Sequence, residues 1–159
     1  MHEYICRAKR KDNGQWIRGY YCRHEKRQPN PMEYSLKEDN IQHLILYDGF
    51  AGWNMSMRLM CAEIILETLG SYSGVNVPKN NQKIFEGDIC SFYIFDYNGG
   101  DKEYQGVVVR SGSRYMLWHS KDSEYFGSDG GFDLDWVVAQ DDEFEVIGNI
   151  TDNPEWKGV

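Results

Sequence analysis

The segment KIFEGDIC places Glu86 and Asp88 on either side of Gly87, directly after an apolar pair. Two carboxylates do general acid–base chemistry when they face one cavity and their surroundings separate their pKa values. Residues two apart on a regular strand share a face, so the spacing permits such a pair. Gly87 argues for another role. A glycine inside a strand pattern marks a bulge or bend, where Asp88 accepts backbone N–H bonds and locks a turn. Glu86, Gly87 and Asp88 therefore read as the turn that launches a strand. The same weighing applies to VIGNITDNPE, where Gly148 and Asn149 predict a kink and Asn153-Pro154 ends the strand.

The other chemical groupings are weaker. Cys6, Cys22 and His24 lie close enough in sequence to meet across a hairpin, but structural zinc usually takes four ligands with closely spaced cysteine pairs, and no C-x₂-C is present. Ordinary reduced cysteines are the better reading. The stretch DSEYFGSDGGFDLD is rich in carboxylates but does not follow the order of a calcium loop. His119 and Ser120 are adjacent without any nucleophile motif around them, and GSDGGFD lacks the lysine of a phosphate loop. No catalytic residue, metal or cofactor is expected.

The grouping that points to binding lies near the start of the chain. Arg7, Lys9, Arg10, Lys11 and Arg18 are interleaved with Trp16 and Tyr20. Cations and aromatics on β-strands are what single-strand nucleic-acid surfaces use, through phosphate contacts and base stacking. They serve equally to dock on the chain's own acidic C-terminal region, within one copy or between copies. Charge helps to choose. The net charge is −8, yet residues 1–30 carry eight Lys or Arg against three Asp or Glu, a net of +5. The remainder stands at −13, and its stretch from Lys121 onward holds eleven acids against two bases. An acidic body repels nucleic acid, so contact within the protein ranks first and nucleic acid second.

The elements that must position these residues are short strands. Eleven Tyr, seven Phe, five Trp and sixteen Gly favour strands and tight turns. EYICRAKRK and QWIRGYYCR flank Asp12-Asn13-Gly14, a hairpin signal whose two- or three-residue loop leaves the register open. Residues 24–40 read as a polar loop, IQHLILYDG as a strand, and FAGWNMSM as its return. MRLMCAEIILETLG fits either a helix or a buried strand. SYSGVNVPKNNQ reads as a turn-rich connector, and KIFEGDICSFYIFDY as a strand entered through its glycine turn. YQGVVVRSG and SRYMLWH form a hairpin, HSKDSEYFGSDGGFD an acidic loop, and LDWVVAQ and FEVIGNI the closing strands. Trp118, Trp136, Phe85, Ile89, Val107, Val109, Val146 and Ile150 are the expected core of the second half.

LGSYSGVNVPKNNQKIFEGDI, approached by ILETLG, and FEVIGNITDNPE, in that order, resemble the paired signatures of the YopX family of phage and prophage proteins. The resemblance covers residues 63–155, with a weaker likeness at the start. It departs from the family's pattern in lacking a proline before SYSG, so it does not decide the conformation of residues 62–70. It implies a mainly β protein encoded by a phage or prophage, working inside a bacterial host cell. It implies no reaction and no catalytic residues.

The expectation is a mainly β fold, with a small bent-sheet or SH3-like barrel in the C-terminal half, an N-terminal β-hairpin and at most one or two short helices. Residues 1–70 form the hairpin and strand region, and residues 71–159 the YopX-like region with its turn motifs at Gly74, Glu86, Gly87, Asp88, Gly148, Asn149, Asn153 and Pro154. The expected function is that of a non-catalytic binding module. Nucleic-acid binding is the alternative and a metal-dependent enzyme the second. The expected partner is a phage or host protein, or another copy met through the opposed basic and acidic regions. No stretch approaches the ~20 apolar residues of a membrane span, and the opening residues lack the apolar core of a signal peptide. A cytoplasmic protein is expected.

Overall fold

The computed structural model describes residues 4–26, 40–49, 58–118 and 131–156. The protein is mainly β and divides into two compact units, Tyr4–Ser71 and one running from Tyr72 onward. Each is antiparallel throughout.

In the first unit, β1 (Cys6–Arg10) and β2 (Trp16–Glu25) form the expected hairpin, with Lys9 opposite Trp16 and Cys6 opposite Gly19. The connecting loop has four residues, rather than the two or three anticipated. Arg10 N–H bonds Gln15 O at 2.9 Å to close it, and Asn13 Oδ1 accepts the Gln15 N–H inside it. Gly14 sits at φ +68°, a left-handed conformation that suits a residue without Cβ. β2 changes partner halfway: from Tyr20 it pairs with β3 (Ile41–Gly49). β3 in turn pairs with β4 (Arg58–Asn76), whose later residues return to β1, with Arg10 opposite Ile64 and Cys6 opposite Ser71. The four strands thus join in a partly closed circuit. Inside it lie Ala8, Ile45 and Ile64, with Ile17 and Leu69 against them. These residues alternate with outward ones along each strand, as a half-buried sheet requires.

β4 settles the ambiguous segment: MRLMCAEIILETLG is strand from Arg58, and it continues through the expected connector to Asn76. Two bulges explain why its periodicity misled. Between its pairings with Lys9 and Arg7, β4 advances from Ile65 to Gly70, and the Thr68 hydroxyl fills the gap. It accepts from Lys9 N–H at 2.8 Å and donates to Ile65 O at 2.6 Å. A second bulge falls at SYSG, between Tyr72 and Asn76, where the Ser73 hydroxyl donates to Ile84 O at 2.8 Å and accepts from Val75 N–H. Bulges add residues to one strand and break the period of two.

In the second unit, the last residues of β4 pair with β5 (Lys83–Phe85). The segment expected as one strand is two, β5 and β6 (Asp88–Asp96), hinged at Glu86-Gly87. β6 lies between β10 (Glu145–Asn149) and β7 (Gly100–Ser111) in the sheet order β10-β6-β7-β8-β9, with β8 as Arg114–Trp118 and β9 as Phe132–Asp133. LDWVVAQ, expected as a strand, is the helix α1 (Leu134–Gln140). Asp133 caps it, its Oδ1 accepting from Asp135 N–H at 3.1 Å and more weakly from Trp136 N–H. Leu134 and Val137, three apart, turn inward.

One sheet face packs on α1 through Phe92, Tyr104, Val108, Leu117, Val137 and Phe144. On the other, Trp156 from the 3₁₀ turn Pro154–Trp156 covers Ile89 and Val107, with Val109 and Ile150 beside them. Phe85 is wholly buried, while Trp118 and Val146 are partly so. Trp136 departs from expectation: it is 51% exposed, because the helix turns it outward to stack on Phe132. Among the described residues no helix is long and apolar enough to cross a membrane. The polar segment 27–39, FAGWNMSM, and most of the acidic loop with His119 and Ser120 lie outside the described residues.

Candidate functional site

Cross-strand partners share a face, so the register of β1 and β2 sorts the basic hairpin into two sides. Cys6, Ala8, Ile17 and Gly19 share the inner face, and Arg7, Lys9, Trp16 and Arg18 the opposite one, where Arg18 is exposed and Arg7, Lys9 and Trp16 are half-buried, the Arg7 Nε among the buried atoms. Arg7 lies opposite Arg18, and Lys9 opposite Trp16. The Trp16 ring collects two cations: the Arg7 guanidinium carbon stands 4.8 Å from its centroid and Lys9 Nζ 5.4 Å. Each contact contributes ~0.5–1 kcal/mol at an exposed site and holds the long side chain in place. Tyr20 extends the same face and is 58% exposed. It stands opposite Leu46, which stands opposite Cys61, so the cationic end runs into an apolar row.

Two cations of the cluster hold carboxylates. Arg10 turns to Asp12, its Nη2 2.6 Å from Oδ2 and its Nε 2.9 Å from Oδ1. Lys11 Nζ bonds Glu63 Oε1 at 2.9 Å. Hydrogen bonding from Arg10 lowers the Asp12 pKa, and Asp12 in turn raises that of Arg10. Hydrogen bonding from Lys11 lowers the pKa of Glu63. The structure thus places Arg7, Lys9, Trp16, Arg18 and Tyr20 on one face, and pairs Arg10 with Asp12 and Lys11 with Glu63. Sequence reasoning missed two supports of this face. Thr68 anchors the β1 backbone at Lys9, and Glu63 partners Lys11 from 52 residues away. For Glu63, no local spacing signals the pairing.

The turn residues have structural positions. Gly87, at φ +85°, donates its N–H to Val108 O at 2.8 Å and accepts from Ile150 N–H at 2.9 Å. Asp88 is buried, and its Oδ2 accepts from Phe85 N–H at 2.8 Å. Glu86 stands in the turn beside it, and Gly74 lies within the SYSG bulge. Asn149 Oδ1 accepts from the N–H groups of Thr151 and Asp152, while its amide donates to Asp152 Oδ2 at 2.8 Å. Asn153 N–H bonds Asn149 O, and Pro154 opens the final 3₁₀ turn. A Cβ on Gly148 would stand 2.6 Å from Asn153 Oδ1, so a side chain there requires the Asn153 amide to move. The hairpin register sets Cys6 on the inner face and Cys22, opposite Leu44, on the outer one. Among the described residues no three His, Cys, Asp or Glu side chains gather closely enough to hold a metal ion.

Fold and site together define a small antiparallel β protein that presents a cation-flanked aromatic ribbon. Residues 6–156 match the family described as "YopX protein", and the chain belongs to that YopX family. Neither the curated proteins nor the solved structures contain a match.

Proposed function

We propose that the protein is a non-catalytic binding module of phage or prophage origin, acting in the cytoplasm of a bacterial host. Its partner is an acidic protein surface, docked on the outer face of β1 and β2. The observation that carries this reading is the gathering of Arg7 and Lys9 over Trp16, with Arg18 opposite Arg7 and Tyr20 further along the same face. Arginine and large aromatics are the residues that dominate protein interfaces. The adjoining row of Tyr20, Leu46 and Cys61 offers apolar area of the kind found at the centre of such contacts.

A second reading, single-stranded nucleic acid, draws on the same cations and aromatics. Two probes separate them: a labelled peptide alternating Asp and Tyr, and a labelled oligothymidylate, each followed by fluorescence anisotropy. Peptide binding that weakens with salt and is lost in the K9E/R18E variant supports the proposal. Binding of the oligothymidylate instead, with affinity falling steeply as salt rises, replaces it with the nucleic-acid reading. Indifference to both overturns the docking face altogether.

A further inference from the structure

The second unit carries a surface whose chemistry complements that face. β6 and β7 pair without a shift, placing Tyr93 opposite Glu103 and Phe95 opposite Asp101. These four share the sheet face of Ile89 and Val107, because residues at even spacing along a strand point the same way. Trp156 and Ile150 cover that face at the Ile89 end. At the other end, among the described residues, it is open: Tyr93 is 40% exposed, Phe95 61% and Tyr97 94%. Phe95 and Tyr97 meet edge to face at 5.3 Å, and Ser91 Oγ donates to Glu103 Oε1 at 2.9 Å, orienting its carboxylate. The result is a ribbon of exposed aromatics with a carboxylate beside each of two of them.

From this complementarity we propose that the β6–β7 ribbon of one copy docks on the Trp16 face of another, so that the acidic protein surface inferred above belongs to a second copy of this chain. This rests on the docking reading of the Trp16 face and names its partner. Both surfaces are two-stranded antiparallel ribbons with the same mesh, ~7 Å between rows on one face and ~5 Å across the strands. One presents Arg7 with Arg18 and Lys9 with Trp16; the other presents Tyr93 with Glu103 and Phe95 with Asp101. Carboxylates therefore meet cations at matching intervals, and the aromatic rings supply faces for the guanidinium groups to stack on. The two surfaces differ, and each copy carries both. Association closes as a reciprocal pair or continues to larger assemblies.

Light scattering across protein concentration, at low and high salt, tests this with three variants: K9E/R18E, D101K/E103K and all four together. The wild type is expected to self-associate at low salt. Each double variant should shift the association to concentrations at least roughly tenfold higher, because like charges then face each other. The fourfold variant should associate again, and a misfolded chain does not regain a specific contact. A wild type that stays monomeric, or a D101K/E103K variant that associates like the wild type, overturns the proposal. A wild type that binds the Asp-Tyr peptide through Lys9 and Arg18 yet does not self-associate sinks this inference alone. A wild type that does neither sinks the docking face as well.

Discussion

Two hydroxyls in β4 each act as donor and acceptor at a place where the ladder is interrupted. Thr68 takes the Lys9 N–H and gives its own proton to Ile65 O; Ser73 does the same between Val75 and Ile84. Removing such a group leaves partly buried backbone atoms without their partner, at ~1–3 kcal/mol. Thr68→Val, similar in shape, should therefore lower the unfolding free energy by that amount, seen in equilibrium denaturation followed by fluorescence as a lower urea midpoint with an unchanged slope. Glu63 gives a second test. Its pKa is lowered in the folded protein by the Lys11 hydrogen bond. A folded-state value below the unfolded one stabilises the fold above the unfolded pKa of about 4.3 and loses that contribution as pH falls through the folded value. In Lys11→Ala, the Glu63 carboxyl should titrate closer to its ordinary range by NMR, and the acid side of the stability profile should flatten.

At the level of elements, α1 depends on its cap. Seven residues form a helix too short to stand alone, and Asp133 satisfies its first N–H groups. Asp133→Ala should cost about 1 kcal/mol and lower the melting temperature by a few degrees in a chain of this size. The same helix shows what was legible beforehand. Val137-Val138 in so short a run reads as strand, yet Asp133 followed by Asp135 is an N-terminal signature that decides for helix, and Trp136 follows it outward. The first hairpin was readable because Asn13-Gly14 acts locally. β4 was not, because the side chains that accommodate its bulges bond to residues brought close only by folding. The cationic aromatic face was legible in composition, but the pairing of Lys11 with Glu63 was not. The β6–β7 ribbon was hidden differently: its alternation was visible in SFYIFDY, but an exposed face reads like a buried one until the opposite face is known to be filled by Phe92 and Tyr104.

Across the whole molecule, stability should be uneven. The first unit closes around Ala8, Ile45 and Ile64, whereas the second buries the stacked rings of Phe92, Tyr104 and Phe144 with Val108 and Leu117. Little buried apolar area means easier opening. Hydrogen exchange should release the amides of β1 to β3 before those of β6 to β8, and Phe92→Ala, at ~3–5 kcal/mol, should destabilise the better-protected region. The partly closed circuit of the first unit also carries a consequence for synthesis. Lys9 and Thr68 are 59 residues apart, so at ~5–20 residues per second the ribosome delivers the closing strand roughly 3 to 12 seconds after the first. A hairpin folds in ~1–10 µs. The nascent chain therefore carries a finished β1–β2 ribbon whose inner side, with Ala8 and Ile17, stays wet until Ile64 and Leu69 emerge. During that interval both faces of the ribbon are open to water.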